Sequence, residues 1–179
     1  MRFVVGCDSE EFKRYYRRAG FHNYYKTVGI TDVIYGELGP TEERIIKEAS
    51  SHLIVWRDNG DIVGDAIWHE ESIDSFRKKP EDKEVAEVLE KLLRGRREFI
   101  ELHEVWLEKK HRGKGYGEMF FEFFEVFATK RGFDSIIYYT GNPAAMAICR
   151  RRGYKEECLK FPQKEKWHVF QFLLNQKKT

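Results

Sequence analysis

Residues 101–130 read Glu101-Leu102-His103-Glu104-Val105-Trp106-Leu107-Glu108-Lys109-Lys110, then His111-Arg112-Gly113-Lys114-Gly115-Tyr116-Gly117, then Glu118-Met119-Phe120-Phe121-Glu122-Phe123-Phe124-Glu125-Val126-Phe127-Ala128-Thr129-Lys130. The three parts predict a strand, a tight turn and a helix. Gly113, Gly115 and Gly117 let the backbone curl so that several N–H groups converge on one point. A helix opening near Gly117 adds its unpaired amides and positive dipole end, and Arg112 and Lys114 add formal charge. Such a point attracts an anion, most naturally a phosphate. In the helix, Glu118, Glu122, Glu125 and Thr129 form one narrow polar stripe at spacings of four, three and four. Phenylalanine and aliphatic residues fill the rest, which predicts a helix covered on most sides and lying on a sheet.

The order of residues separates this turn from other glycine-rich loops. A dinucleotide-binding fingerprint wants a hydrophobic strand leading straight into its glycines, whereas here Glu108-Lys109-Lys110-His111-Arg112 intervenes. No Gly-Lys-Ser/Thr follows, which excludes a Walker loop. The stretch does resemble the acyl-CoA site of the GNAT superfamily of N-acyltransferases, whose signature Arg/Gln-x-x-Gly-x-Gly/Ala is met by Arg112, Gly115 and Gly117. The resemblance extends upstream through Glu101-Leu102-His103-Glu104-Val105-Trp106-Leu107. Downstream, the family's Asn-x-x-Ala-x-x-x-Tyr-x-x-x-Gly-Phe is matched by Asn142, Ala145, Gly153 and Tyr154, with Cys149 where the tyrosine is expected.

The resemblance implies an α/β (α+β) fold: a mixed, mainly antiparallel twisted sheet flanked by helices and splayed between strands 4 and 5. It implies acetyl-CoA as cosubstrate and an amine as acceptor. Residues Val105, Trp106, Leu107, Arg112, Gly113, Lys114, Gly115, Tyr116, Gly117 and Asn142 would then hold the cofactor, with Val105 and Leu107 pairing with the pantetheine arm. The Leu107 amide would face the thioester oxygen. Glu101 stands where the family often carries its general base. An amine with a pKa near 10.4 is almost wholly protonated at neutral pH, so some group must take a proton before attack. Glu104 is the alternative base; a regular strand puts it on the opposite face from Glu101. Cys149 would have to stand in as the acid that protonates the leaving thiolate, unless it is a small core residue. Tyr138, Tyr139, Tyr154 or solvent are the other sources of that proton.

The 179 residues, 41% hydrophobic and 15% aromatic, suffice for a single domain over 1–179 with a sizeable core. The 32 basic and 30 acidic residues nearly cancel to +2, which gives no global case for nucleic acid or membrane. Cys7, Cys149 and Cys158 form no Cys-x-x-Cys pair, and the histidines form no His-x-x-x-His pair, so neither a disulfide framework nor a metal site is expected. With no disulfide framework among the cysteines a reduced cytoplasmic location is the simplest reading, and Met1–Val5 is too short for a signal h-region.

Elsewhere, Asp8 caps a predicted helix with Phe12, Tyr15, Tyr16 and Ala19 on one face and Gly20 at its end; Phe21, Tyr24 and Tyr25 follow, and Thr41 caps a short helix with Glu42 and Glu43. Residues 52–56 and 61–68 flank Asn59-Gly60, the favoured pair for a type I′ hairpin. Between that hairpin and the Glu101 strand the chain inserts residues 72–97, with a helix opened by Pro80-Glu81-Asp82 and carrying Val85, Val88, Leu89 and Leu92 on one face. A lid, the face of a homodimer and simple packing are open roles for it. A further strand over 134–139, a helix over 142–152 and a closing pair of strands around Pro162 complete the pattern. Two functions besides catalysis fit the sequence: a non-catalytic acyl-CoA sensor, given the missing tyrosine, and a basic nucleic-acid patch at Lys109–Lys114.

Overall fold

The structure, a computed structural model, describes residues 1–19, 52–79, 82–160 and 166–174. The expectations for Gly20, the Phe21-Tyr24-Tyr25 cluster, the Thr41 helix, Pro80-Glu81 and Pro162 lie outside these residues. The elements are β1 (Arg2–Val5), α1 (Ser9–Ala19), β2 (Leu53–Asp58), β3 (Asp61–Ser72), α2 (Ile73–Arg77), α3 (Lys83–Leu93), β4 (Glu98–Leu107), α4 (Tyr116–Lys130), β5 (Ser135–Thr140), α5 (Pro143–Arg151), β6 (Lys155–Lys160) and β7 (Lys166–Leu173). The strands follow the order β1-β2-β3-β4-β5-β7-β6 in one seven-stranded sheet. Its pairs are antiparallel at β1–β2, β2–β3, β5–β7 and β6–β7, and parallel at β4–β5. The mixed, mainly antiparallel sheet with helices is the expected fold class. The chain divides into two compact units, Met1–Ile67 with Glu104–Arg112, and Trp68–His103 with Gly113–Thr179.

In the first unit the hairpin forms as its sequence dictates. Asn59 takes φ 50° and Gly60 φ 93°, and Asp58 pairs with Asp61 across the turn. The ladder shifts between Trp56 and Arg57, leaving Val63 as the extra residue, and the Val63 carbonyl accepts the Glu108 N–H at 2.9 Å. The Asp8 side chain caps α1 through the Glu11 N–H at 2.9 Å. That helix buries Phe12 and Tyr15, whose hydroxyl donates to the buried Asp65 at 2.9 Å. Arg57 and Glu11 form a bidentate pair, both bonds 2.6 Å. β1 was not expected, although Phe3-Val4-Val5 is a β-prone run.

In the second unit the sheet carries helices on both faces. Strand alternation puts Phe99 and Glu101 of β4 with Ile137 and Tyr139 of β5 on one face, since Glu101 pairs with Ile137. The insertion covers that face: Ala86, Leu89, Leu92 and Leu93 of α3 and Ile73 of α2 are buried with Phe99, Ile137, Leu159 and Val169 in one cluster. Lys91 of α3 reaches Glu157 of β6 at 2.6 Å. Of the three roles left open, packing is the one its apolar face performs, and burying four such side chains outweighs any exposed ion pair. α3 ends where Arg94 adopts φ 51° ahead of Gly95, and α2, capped by Ser72, is a second helix that the sequence had not suggested.

On the other face, Phe120, Phe121, Phe124 and Ala128 of α4 are buried, and the Phe121 ring meets Tyr138 at 5.5 Å. The covering is narrower than expected, for Met119 and Val126 are 45% and 51% exposed. Much of the acidic stripe serves the neighbouring helix: Glu125 takes Arg152 bidentately at 2.6 and 2.7 Å and the Tyr154 hydroxyl at 3.1 Å, and Glu118 takes Arg151. Among the described residues no helix is long and apolar enough to cross a membrane.

Candidate active site

The turn after β4 carries its chemistry on the backbone. A 3₁₀ turn, Lys109–His111, consumes the amides of His111 and Arg112, which donate to the carbonyls of Glu108 and Lys109. From Gly113 the pattern changes: the amides of Gly113, Lys114, Gly115, Tyr116, Gly117 and Glu118 meet no acceptor among the described residues, and the next, Met119, returns to the Gly115 carbonyl. Gly113 and Gly115 hold φ 76° and 80°, the left-handed values that aim successive N–H groups to one side. Gly115 is the N-cap of α4 and offers no side chain to cap it, so the first turn keeps its donors. Gly117 has a different reason: a Cβ there would stand 2.8 Å from Cδ1 of Ile148 on α5. A turn with open space at Gly113 and Gly115, six donors and the positive end of a fifteen-residue helix is a fit for a diphosphate.

Arg112 contributes partly as a brace. Its Nε donates to the Leu107 carbonyl at 2.7 Å and its guanidinium lies 4.9 Å from the Trp106 ring centre, leaving the Nη atoms for a ligand. Lys114 is exposed, while Val105, Trp106, Leu107 and Tyr116 are half-buried. The β4–β5 ladder spans only Ile100–Leu102 against Ile136–Tyr138, although β4 runs on to Leu107. Asn142 is largely committed elsewhere, for its Oδ1 accepts the Ala144 and Ala145 amides at 2.9 and 3.3 Å as the cap of α5. Only its amide nitrogen remains for a cofactor.

Glu101 is the unusual carboxylate. It is 4% exposed; Oε1 lies 3.1 Å from Nδ1 of His103, two residues along the same strand face, and the buried Oε2 has no hydrogen-bond partner among the described residues. Burial pushes its carboxyl well above the usual range, and the carboxylates of Glu71 and Asp82 push it further. His103 in turn meets the His69 ring edge-on at 4.5 Å. The Tyr139 hydroxyl, on the same sheet face as Glu101, is enclosed without a hydrogen-bond partner among the described residues. Burial and then the Glu101 charge hold it well above the ordinary phenol value. Glu71, Asp82 and His103 were not among the residues first singled out for catalysis. Only Tyr139 had been named, as one of several tyrosines; the others gain meaning from strand pairing and from the insertion.

Cys149 does not suit the acid role. It is fully buried on α5, and burial raises its thiol to about 12. Enclosed and raised in this way, the thiol has the surroundings of a small core residue. Tyr154 is engaged with Glu125, which leaves Tyr139 as the tyrosine with an unengaged hydroxyl among those three for which a role was open, Tyr138 being packed on Phe121. The Glu104 side chain lies outside the described residues. Among the described residues no three His, Cys, Asp or Glu side chains are gathered as a metal site.

The model of the Acetyltransferase (GNAT) family matches residues 10–154. No curated protein matches the chain. Among solved structures, mosquito arylalkylamine N-acetyltransferase like 5b is similar with a TM-score of 0.63 at 15% identity, covering 96% of this chain and 99% of that one. The Salmonella typhimurium protein yncA, solved with its cofactor acetyl-CoA, gives 0.62 at 16% over 99% and 96%. The polyamine N-acetyltransferase of Drosophila melanogaster gives 0.57 at 14% over 77% and 83%. Identities this low speak for the fold alone; the family match spans most of the chain and includes both the turn with its unpaired amides and the strand bearing Glu101. The chain therefore belongs to the GNAT family of acetyltransferases.

Proposed function

We propose that the protein is an acetyl-CoA-dependent N-acetyltransferase in which a primary amine attacks the thioester directly in a ternary complex. The observation that carries the reading is the run of six amides at Gly113–Glu118 that meet no acceptor among the described residues, at a turn and helix N-terminus where an anion can take them. Bound acetyl-CoA supplies an activated acyl carbon there. The amides of residues 113–118 hold the diphosphate, with Arg112 and Lys114 beside it. The backbone of Val105, Trp106 and Leu107 pairs with the pantetheine arm, Tyr116 flanks it, and the Asn142 amide nitrogen helps to fix it.

Glu101 takes the proton from the acceptor ammonium. Burial raises its carboxyl, which makes the ionised form a stronger proton acceptor than an exposed glutamate. The free amine then attacks, and the N–H of Leu107 donates to the oxygen on which charge develops, an arrangement typically worth about 3–4 kcal/mol. As the C–S bond breaks, the thiolate takes a proton, and we assign its donation to Tyr139, whose hydroxyl has no hydrogen-bond partner among the described residues.

The test is thermal. CoA at about 100 times its Kd stabilises a single-site protein by about 2.7 kcal/mol, which for a chain of this length is roughly 5–11 °C in Tm. A panel of amines should then release free CoA thiol from acetyl-CoA. Absence of any CoA-dependent shift sinks the reading; a shift with no amine-driven release leaves the acyl-CoA sensor.

A further inference from the structure

We propose that Gly64 of β3 is a positioning residue for acyl transfer: the side chain it lacks lets the Trp106 carbonyl settle against β3, and this contact aims the Leu107 N–H, across the same peptide bond, at the thioester oxygen. The inference rests on the acetyltransferase reading and names the residue that sets its oxyanion donor. All the groups involved belong to one unit: Val63 and Gly64 in β3, and Trp106, Leu107, Glu108 and Arg112 at the end of β4 and just beyond it. A Cβ on Gly64 would stand 2.5 Å from the Trp106 carbonyl oxygen, 3.2 Å from Cδ1 of Leu107 and 3.3 Å from its Cα. The first of these is a contact with backbone, which cannot swing aside as the end of a side chain can. Gly64 lies outside the left-handed region, so the close approach, and not its own torsion, is what calls for glycine.

The peptide group carries this contact to the reacting centre. The bond between Trp106 and Leu107 is trans, so its C=O and N–H point in opposite directions within one rigid plane. With the carbonyl held against β3, the Leu107 N–H points away from β3. The neighbouring groups agree with that orientation. The Glu108 N–H turns back to β3, donating to the Val63 carbonyl at 2.9 Å, and Val63 is the extra residue of the bulge beside Gly64. The Leu107 carbonyl, which leaves the strand on the same side as its own N–H, takes Nε of Arg112 at 2.7 Å. The segment is thus fixed from both sides, by Val63 and Gly64 on one and by Arg112 on the other. A methyl at position 64 would have to push the Trp106 oxygen from 2.5 Å out to ordinary contact near 3.4 Å. That displacement is about 1 Å, and a misplacement of this size in a reacting site can cost about 10²-fold in rate.

The sequence supplies its own probe, for Trp106-Leu107 is the one Trp-Leu step in the chain. The full chain labelled with 13C at the tryptophan carbonyl and 15N in leucine gives a single carbonyl-filtered amide signal, that of Leu107. With no amine present, we expect this signal to move downfield with acetyl-CoA relative to CoA, which lacks the thioester oxygen, and the difference to shrink by half or more in Gly64→Ala. CoA should still raise the Tm of that variant, because residues 113–118 are unchanged, while kcat falls about tenfold or more at temperatures well below the Tm. Adding Leu107→Ala removes the contact at Cδ1 but not the one at the carbonyl, so the double variant should turn over no faster. Native kcat in Gly64→Ala overturns the inference, and so does a loss of kcat with the acetyl-dependent shift intact. Recovery in the double variant also overturns it, since the contact would then be one of side-chain packing. If Gly64→Ala does not fold, the native protein decides: the inference stands on an acetyl-dependent Leu107 shift together with a nuclear Overhauser contact between the α-protons of Gly64 and Leu107, and absence of either overturns it. If CoA fails to stabilise the native protein, or no amine releases thiol, the acetyltransferase reading falls and takes this inference with it; turnover with an indifferent Leu107 signal removes only the role of Gly64.

Discussion

His103 places its Nδ1 3.1 Å from Oε1 of Glu101 and leaves the other carboxylate oxygen, sealed from solvent, without a partner among the described residues. The pair arises from strand geometry alone, since residues two apart on β4 share a face. Half-satisfying a buried carboxylate costs stability, and such an arrangement is retained where the empty oxygen has work to do.

Glu101→Gln should therefore separate stability from turnover. The folded-state pKa of Glu101 is raised above the unfolded value of about 4.3, so the folded protein holds an extra proton between the two values. The native stability is full below the lower value and declines as pH rises through that window. Glutamine removes the decline, and we expect a Tm higher by about 2–8 °C at pH 8 with little gain at pH 4, corresponding to about 1–2 kcal/mol. Turnover at pH 7 should fall by about 10²-fold or more and recover partly at high pH, where free amine is abundant. Unchanged turnover would move the base role to Glu104 or to solvent; an equal Tm gain at both pH values would show that the carboxylate is not strained.

His103→Leu probes the other half of the pair. Losing the Nδ1 contact removes the partner that Oε1 has among the described residues and should push the Glu101 carboxyl higher still. The acidic limb of the pH–rate profile should move to higher pH, with KM for acetyl-CoA within about threefold, because the amides at 113–118 are untouched. A limb that stays in place would show that the histidine is only packing.

The turn, the hairpin and the sheet class were legible because each rests on local chemistry: Asn59-Gly60 on positive φ, Gly113 and Gly115 on the same requirement, and Asp8 on a side-chain cap. The surroundings of Glu101 were not legible. Tyr139 shares its sheet face only through the parallel Glu101–Ile137 register, which has no signature in any short window of sequence. Cys149 was misleading for the opposite reason: the family motif drew attention to the position, and only its complete burial on α5 shows that the thiol packs.

The glycines of the turn should fail in different ways. Alanine at Gly115 forces a side chain to φ 80°, a cost of about 1–2 kcal/mol that also turns the amides of the cradle. Alanine at Gly117 meets only the far methyl of Ile148, 2.8 Å away, and that residue can be trimmed. Adding Ile148→Val should restore CoA-dependent stabilisation to Gly117→Ala but not to Gly115→Ala. Equal rescue of both by the valine would mean that backbone conformation at 115 is not what the ligand reads.

The source of the last proton can be assigned by pairing Cys149→Ala with Tyr139→Phe. The thiol is enclosed and raised to about 12 by burial, so its loss should leave a small cavity, destabilise by about 1 kcal/mol and cost less than about tenfold in turnover. The Tyr139 hydroxyl is buried without a partner, so phenylalanine removes a desolvated polar group at no change of shape and should raise Tm slightly. If Tyr139 donates to the thiolate, the same variant loses about tenfold or more in turnover while binding CoA normally, a gain in stability against a loss in rate that a merely structural tyrosine would not give. A large loss from Cys149→Ala with CoA binding intact would return the role to the thiol despite its burial, and unchanged turnover in both variants would leave water as the donor.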